Sequence, residues 1–265
     1  MTTLQIIILA IVQGITEFLP ISSSGHLVLV PLFFDWDDQG LAFDVAVHFG
    51  SLAAVCIFFR KDIVALMSGG VQVLGGNVKT PESKMALAIA LGTVPATVAG
   101  LLFASWIEVN LREPIVVAYT LASYGVLMAV ADRVGRRERN ITDFGYKEAF
   151  IIGCAQALAL VPGTSRSGVT ITAARFLGFE RHDAARFSFL LSAPVILLAA
   201  GYKFAELTMS GVDVAWGQLG LGALVACVVA YVSIEFFMRV VTRVGLAPFA
   251  IYRLILAAII LYALV

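Results

Sequence analysis

Long apolar segments, separated by short polar stretches, make up most of this chain. A helix needs about 20 mostly apolar residues to cross about 30 Å of hydrocarbon. Six segments meet this requirement and predict membrane-spanning helices, at residues 42–59, 85–104, 114–131, 187–204, 214–238 and 247–265. We therefore expect an all-α integral membrane protein that forms a single membrane domain over residues 1–265.

Two further apolar regions are interrupted before they reach spanning length. Residues 4–34 break at Pro20 and a Ser-Ser-Ser-Gly-His run, and residues 149–179 break at the run Pro-Gly-Thr-Ser-Arg-Ser-Gly. Non-helical backbone at membrane depth is tolerated only where protein or a water-filled cavity satisfies it. These regions therefore predict two re-entrant helix–loop–helix hairpins, each of which enters and leaves at one membrane face.

The basic residues favour this topology. With two re-entrant hairpins and six spans, fourteen Lys and Arg residues fall on one face and only Arg112 and Lys203 on the other. If both regions crossed the membrane, the split would be about ten to seven. Positive residues collect on the cytoplasmic side, so we expect both termini outside, the first hairpin entering from outside and the second from the cytoplasm.

The two broken regions also repeat each other. Gln13 and Gln156 lie 143 residues apart, and each precedes a proline and a Ser-rich loop that ends in glycine. Three spans separate the hairpins, so the halves have opposite orientation and predict two inverted-topology repeats, whose site lies near the midplane where the repeats meet. The expected units are residues 1–131 and 149–265, joined by a cytoplasmic linker at 132–148.

Composition excludes the soluble classes of protein. Hydrophobic residues make up 60% of the chain and charged residues 14%, with 18 basic and 18 acidic side chains. Soluble globular proteins contain about 25% charged residues. The expected surroundings are therefore membrane lipid, and the zero net charge gives no general attraction for nucleic acid.

A few ionisable residues fall inside the apolar regions, where such groups usually mark function. Glu17, His26 and Arg166 are the ones in the hairpins. Ser- and Gly-rich loops at helix N-termini bind anions, and arginine suits phosphate oxygens. A carboxylate beside a phosphate suggests a bridging Mg²⁺ or Ca²⁺. His26, three residues after Ser23, is placed to act as an acid or a base, so the set favours phosphoryl transfer on a lipid-borne substrate.

Two motifs carry a resemblance to a known family. Residues 13–26, QGITEFLPISSSGH, resemble the (E/Q)xxxE and SS(S/T)GH signature of the BacA-type undecaprenyl-diphosphate phosphatases of bacteria. Residues 162–168, PGTSRSG, resemble the second motif of that family, and the likeness covers essentially the whole chain. Gln13 takes the (E/Q) position, so metal binding rests more on Glu17.

The resemblance implies a multi-pass enzyme of the bacterial cytoplasmic (inner) membrane with its active site facing outward. Such an enzyme removes the terminal phosphate of a polyprenyl diphosphate, undecaprenyl diphosphate. The product, undecaprenyl phosphate, is the carrier lipid for peptidoglycan and other envelope polymers, and the family is linked to bacitracin resistance. The resemblance also implies a divalent cation, Mg²⁺ or Ca²⁺, and is compatible with a homodimer.

The expected catalytic residues are Glu17, Ser23, His26 and Arg166, with Glu17 also the metal ligand. The expected substrate-binding residues are Gln13, Ser22, Ser24, Gly25, Gly163, Thr164, Ser165, Ser167 and Gly168. Ser23, His26 and water all remain candidates for the nucleophile. Asp44 and His48, in the first span, receive no role.

A transporter is the alternative from another class. Inverted repeats with broken helices that meet at mid-membrane are common in secondary transporters. A secondary transporter or a polyprenyl-phosphate flippase could use Glu17 and Arg166 as an ion-coupled substrate site, but transport does not require the serine and histidine.

Overall fold

The protein is built from α-helices. A computed structural model describes residues 1–209 and 215–263, and in that part of the chain it contains eleven α-helices, two short 3-10 helices and no strand. In chain order the α-helices are α1 Thr3–Thr16, α2 Ser23–Phe34, α3 Gly40–Phe58, α4 Arg60–Leu74, α5 Pro81–Asn110, α6 Pro114–Val134, α7 Tyr146–Ala157, α8 Arg166–Phe176, α9 Arg181–Met209, α10 Trp216–Val244 and α11 Ala247–Ala263.

Five of these helices are long and apolar enough to cross a bilayer, counted over residues 1–209 and 215–263. They are α3, residues Pro81–Ile107 of α5, α6, α9 and α10. Their outward faces expose large apolar side chains such as Leu101, Val228 and Tyr202, as expected for surfaces that contact lipid. The chain is therefore a multi-pass membrane protein, and five of the six predicted spans correspond to long helices. The sixth predicted segment forms α11, a shorter apolar helix of 17 residues.

The start of α9 differs from the prediction. The apolar pattern places the beginning of this span at residue 187, whereas the helix begins at Arg181. The extra residues are stabilised by ion pairs, because Arg181 donates to both oxygens of Asp132 at 2.6 and 2.7 Å. Asp132 also accepts from the Leu246 backbone N–H at 3.1 Å, so this buried carboxylate joins the ends of α6, α9 and α11.

Each interrupted region forms two short helices separated by a non-helical loop. The loops end at Ser22 and Ser165, 143 residues apart, and both serines have positive φ values of 76° and 72°. Both serine hydroxyls accept a hydrogen bond from a glycine N–H three residues on, Gly25 at 3.3 Å and Gly168 at 3.1 Å. A serine hydroxyl that bonds such an N–H is the usual N-terminal cap of a helix, so α2 and α8 begin in the same way.

The helices pack closely through small residues. α1 packs mainly on α10, and α7 packs mainly on α5. α3 contacts both α9 and α10, and α6 contacts α11. A side chain added at Gly50 would lie 2.1 Å from the Ala223 carbonyl oxygen, and one at Gly153 would lie 2.3 Å from the Gly92 carbonyl oxygen. Small residues allow backbones to approach in this way, which is how helices associate in membranes.

The Gly50 contact gives a direct test of this packing. Gly50→Ala should lower the Tm of the detergent-solubilised chain, because its Cβ would force α3 away from α10, and overpacking of this kind costs about 1–3 kcal/mol. Gly201→Ala is the matched control, since nothing lies within 4 Å of a Cβ at that helical position. Equal Tm values for the two variants would contradict the close α3–α10 contact.

Candidate active site

The two interrupted regions meet inside the protein. Arg166, the first residue of α8, donates from Nη2 to Oε1 of Glu17 at 2.7 Å. The Ser167 hydroxyl donates to the Leu19 carbonyl at 3.2 Å. Both contacts join residues almost 150 positions apart, so the loop before α2 and the loop before α8 form one site.

Glu17 lies at the centre of this site and is 7% exposed. Its Oε2 accepts from the Ser23 hydroxyl at 2.7 Å and from Gln13 Nε2 at 3.1 Å. Gln13 lies one helical turn before Glu17, which places both side chains on one face of the helix end. The two carboxylate oxygens therefore divide their partners, with Arg166 on one and the two neutral donors on the other.

His26 has different partners from Ser23. Its Nδ1 lies 2.7 Å from the Ser22 carbonyl oxygen, and its Nε2 lies 2.7 Å from the hydroxyl of Tyr252 in α11. A carbonyl can only accept a hydrogen bond, so Nδ1 carries the proton and Nε2 of the neutral ring accepts from Tyr252. The structure thus places the Ser23 hydroxyl on Glu17 and gives His26 a tyrosine partner that the sequence did not suggest.

Several serine hydroxyls of the two interrupted regions form hydrogen bonds within the protein. Ser22 and Ser165 cap α2 and α8, and Ser167 is bonded to Leu19 of the other loop. Ser24 is exposed, whereas Ser165 and Ser167 are buried. The hydroxyls of Ser165 and Ser167, expected to bind phosphate, therefore hold the loops in place in this structure.

Gly163 and Thr164 complete the second loop. Gly163 has a φ of +88°, and a Cβ there would lie 2.1 Å from the Thr120 hydroxyl oxygen. The Thr164 hydroxyl is buried and has no hydrogen-bond partner in the described part of the chain. Glycine is thus needed for the close approach of this loop to α6.

Arg253 is the residue that the sequence analysis missed. It lies in α11, is 1% exposed, and donates to the carbonyls of Pro20 in the first loop and of Gly163 and Thr164 in the second, at 3.3, 3.0 and 3.0 Å. It also donates to the Thr120 carbonyl in α6 at 3.3 Å. One guanidinium therefore links both loops and two helices. An arginine inside an apolar segment was the signal that could have identified it.

His48 also belongs to the site. Its Nδ1 lies 2.7 Å from the Asp44 carbonyl oxygen, and its Nε2 lies 3.9 Å from Glu17 Oε2. The Asp44 carboxylate accepts from Gln39 Nε2 at 2.9 Å. His48 thus faces Glu17, whereas the Asp44 carboxylate is hydrogen-bonded to Gln39, five residues earlier in the chain.

The residues around Glu17 fit a divalent cation bound jointly with a phosphate. No group of three His, Cys, Asp or Glu side chains that could hold a metal occurs within residues 1–209 and 215–263. Mg²⁺ in phosphoryl-transfer enzymes, however, commonly binds through one or two carboxylates plus substrate phosphates. Gln13 Oε1 is buried beside Glu17 without a hydrogen-bond partner in the described structure, so Glu17 and Gln13 together present oxygen donors of the required kind.

Fold and site define a class of protein: a multi-pass membrane protein in which the loops before two serine-capped helices, α2 and α8, meet at a buried carboxylate–arginine pair. The chain belongs to the family described as bacitracin resistance protein BacA, whose model matches residues 6–259.

Curated relatives match almost the full length of the chain. An undecaprenyl-diphosphatase 2 of Stutzerimonas stutzeri (strain A1501) is 50% identical over 98% of both chains. The undecaprenyl-diphosphatase of Hahella chejuensis (strain KCTC 2396) is 51% identical over 97% of both chains. That of Thioalkalivibrio sulfidiphilus (strain HL-EbGR7) is 50% identical over 99% of both chains.

The Arg253 contacts predict a large effect on stability. Arg253→Met should lower the Tm strongly, because each buried carbonyl left without its donor costs about 1–3 kcal/mol. Arg253→Lys should fall between this variant and the wild type, since an ammonium keeps the charge but cannot reach as many carbonyls.

Arg243→Met is the matched control, because Arg243 is exposed near the end of α10. Thermal unfolding in detergent, followed by size-exclusion chromatography, measures all three variants. A Tm for Arg253→Met equal to that of the control would show that the loops are held by other contacts.

Proposed function

We propose that this protein is an undecaprenyl-diphosphate phosphatase of the bacterial cytoplasmic membrane. It converts undecaprenyl diphosphate and water into undecaprenyl phosphate and inorganic phosphate, and so returns the carrier lipid to peptidoglycan and envelope polymer synthesis and confers bacitracin resistance. The observation that carries this proposal is the contact of Glu17 with both Ser23 and Arg166. The names of the relatives agree with hydrolysis and do not favour a transporter or a flippase.

The depth of the site suits a lipid headgroup. His48, which faces Glu17, is the ninth residue of the 19-residue helix α3. With a rise of about 1.5 Å per residue, the site lies more than 10 Å from either end of this candidate span. A diphosphate attached to a prenyl chain can reach this depth while its tail remains in lipid.

We propose two re-entrant hairpins and six spans, with α11 as the sixth. α1 and α2 contain 14 and 12 residues, and α7 and α8 contain 12 and 11. Each is shorter than α11, which has 17 residues, and lies below the range of about 17–25 residues that spans contain. The matching geometry of Ser22 and Ser165 supports two repeats, residues 1–131 and 149–265.

Contacts of the linker also support the second hairpin. The Arg139 N–H donates to the Gly178 carbonyl at 3.2 Å, and the Glu180 N–H donates to the Arg139 carbonyl at 2.8 Å. Arg139 precedes α7, which begins at Tyr146, and Gly178 follows α8, which ends at Phe176. Entry and exit therefore lie together, as in a hairpin that returns to the face from which it came.

In the proposed reaction Arg166 binds the phosphate that is removed. A diphosphate carries more negative charge than one carboxylate and offers paired oxygens to the guanidinium. We expect Arg166 to exchange at least part of its contact with Glu17 for phosphate oxygens when substrate enters. Its side chain is also anchored to α9, because Nη1 donates to the Ser188 carbonyl at 3.5 Å.

Ser23 is the proposed nucleophile. Its oxygen attacks the terminal phosphorus, its proton moves to Glu17 Oε2, and the bond from phosphorus to the bridging oxygen breaks to release undecaprenyl phosphate. Water then attacks the phosphorus of the phosphoserine and gives one proton to Nε2 of His26, after the hydrogen bond from Tyr252 has opened. The bond from phosphorus to the Ser23 oxygen breaks, and Glu17 returns its proton to that oxygen. Inorganic phosphate leaves and carries away the proton on His26, so each proton is accounted for.

Glu17 and Gln13 are the proposed ligands of a divalent cation, Mg²⁺ or Ca²⁺. When bound, such a cation neutralises charge on the phosphate oxygens. The unpartnered Gln13 Oε1 supports this assignment.

Three substitutions test the catalytic assignment. Glu17→Gln, Ser23→Ala and Arg166→Ala should each lower phosphate release from undecaprenyl diphosphate by about 10²–10⁴-fold, the usual loss for groups that transfer protons or stabilise charge. The measurement uses the purified full chain in detergent with Mg²⁺ present.

Arg243→Ala, which changes an exposed arginine outside the site, is the control and should keep wild-type turnover. Glu17→Gln should also weaken binding of Mn²⁺, a spectroscopic substitute for Mg²⁺, measured by electron paramagnetic resonance. Wild-type turnover in any of the three site variants would exclude that residue from the chemistry.

The proposed topology can be tested by labelling single cysteines in whole cells with a membrane-impermeant maleimide. Thr2→Cys should react from outside, whereas Arg137→Cys and Glu180→Cys should react only after the cells are opened. If both interrupted regions crossed the membrane, Thr2→Cys and Arg137→Cys would share one face and Glu180→Cys would lie on the other. The native cysteines to be replaced beforehand are Cys56, Cys154 and Cys227.

A further inference from the structure

A second polar region lies at one end of the helix bundle, away from the Glu17 site. A cavity of about 310 Å³ lies where α3 ends, α9 begins and α10 approaches its end. Ligand cavities in proteins commonly have volumes of about 300–1,000 Å³. Phe58 at this cavity is ten residues beyond His48 in α3, about 15 Å along the helix, so the two sites are distinct. We call this space the helix-end cavity.

The walls of the helix-end cavity are apolar. Phe58 and Phe59, at the end of α3, and Met238, in α10, line it. Phe59 is 5% exposed and packs on Phe189 in the core, so this wall is fixed by the fold. A cavity at the end of spanning helices with aromatic walls is suited to the apolar stem of a lipid next to its headgroup.

The rim of the helix-end cavity carries excess positive charge. Arg60, Lys61 and Arg186 line it together with one carboxylate, Asp62. Asp62 forms an ion pair with Arg186. Arg60 and Lys61 are exposed, and neither forms an ion pair or a side-chain hydrogen bond within residues 1–209 and 215–263. Two cations are therefore free to bind a ligand.

His182 does not alter this balance. It also lines the cavity, but its Nδ1 lies 3.1 Å from the carboxylate of its neighbour Asp183. The histidine is thus associated with a carboxylate of its own helix turn, and the uncompensated charge on the rim is that of Arg60 and Lys61.

We propose that the helix-end cavity binds the phosphate of a membrane lipid that ends in a phosphate monoester. A phosphate monoester carries a charge of about −1.5 to −2 at pH 7, which matches the two free cations. Basic pockets between spanning helices are known places for anionic lipid headgroups. The apolar wall accepts the stem of the lipid, which a free phosphate ion lacks. This inference goes beyond the proposed hydrolysis and does not depend on it.

Native mass spectrometry of the full chain in detergent tests the proposal, with dioleoyl phosphatidic acid as the monoester probe. The wild type should bind this lipid about 25-fold more tightly than dioleoyl phosphatidylcholine, since each of the two free basic residues contributes roughly a fivefold preference for anionic lipid. The double variant Arg60→Gln/Lys61→Gln should lose most of this preference. Asp62→Asn should bind the monoester more tightly than wild type, because it frees Arg186.

The matched control is the double variant Lys84→Gln/Arg243→Gln. It removes the same charge from exposed positions outside the cavity and should change the affinity less than twofold. Equal losses in the two double variants would overturn the proposal, because they would show a diffuse attraction and no site. Equal binding of phosphatidylcholine, or of the diester phosphatidylglycerol, would overturn the choice of ligand.

Competition with inorganic phosphate distinguishes a lipid ligand from a free phosphate ion. At millimolar concentration it should not displace phosphatidic acid, and complete displacement would overturn the lipid assignment. Arg60→Gln/Lys61→Gln should keep phosphate release from undecaprenyl diphosphate in detergent, which shows that it is folded. If this variant does not fold, the opposite shift expected for Asp62→Asn still decides the question.

Discussion

Non-helical backbone inside a membrane protein needs hydrogen-bond donors and acceptors from the protein itself, and Arg253 supplies the donors here. Hydrocarbon offers no water to carbonyls that a helix has released. The Arg253 guanidinium reaches Pro20 in one loop and Gly163 and Thr164 in the other. Because these loops position Glu17 and Arg166, the site depends on the hydrogen bonds from Arg253 to the loop carbonyls.

Burial also constrains the ion pair between Glu17 and Arg166. Removing two charges from water is costly, and their attraction compensates only if further hydrogen bonds satisfy the remaining atoms. Ser23 and Gln13 provide such bonds to Glu17. The same bonds hold the Ser23 hydroxyl against a carboxylate, so the contacts that make the ion pair tolerable also orient the proposed nucleophile. A substrate phosphate can then replace one buried anion–cation contact with another at the same arginine.

Sequence patterns predicted the parts of this structure that depend on composition along the chain. The five long helices follow from apolar length, and the meeting of Glu17 with Arg166 follows from the rarity of charge in apolar regions. The partners of Arg253 could not be predicted, because they are backbone carbonyls, which every residue has. The contacts of His48 with Glu17 and of Tyr252 with His26 could not be predicted either, because they depend on how α3 and α11 pack.

Two loops of similar conformation, 143 residues apart, form a site whose two halves carry different side chains. Ser22 and Ser165 have the same backbone conformation and the same capping bond. The residue after each of these serines begins a helix, Ser23 in α2 and Arg166 in α8, and each contacts a different oxygen of Glu17. In the proposed repeat these are equivalent positions, so the fold brings one side chain from each half to the two oxygens of a single carboxylate. In the proposed hydrolysis Ser23 is the nucleophile and Arg166 binds phosphate, so the difference between a serine and an arginine at this one position gives the two repeats their different roles.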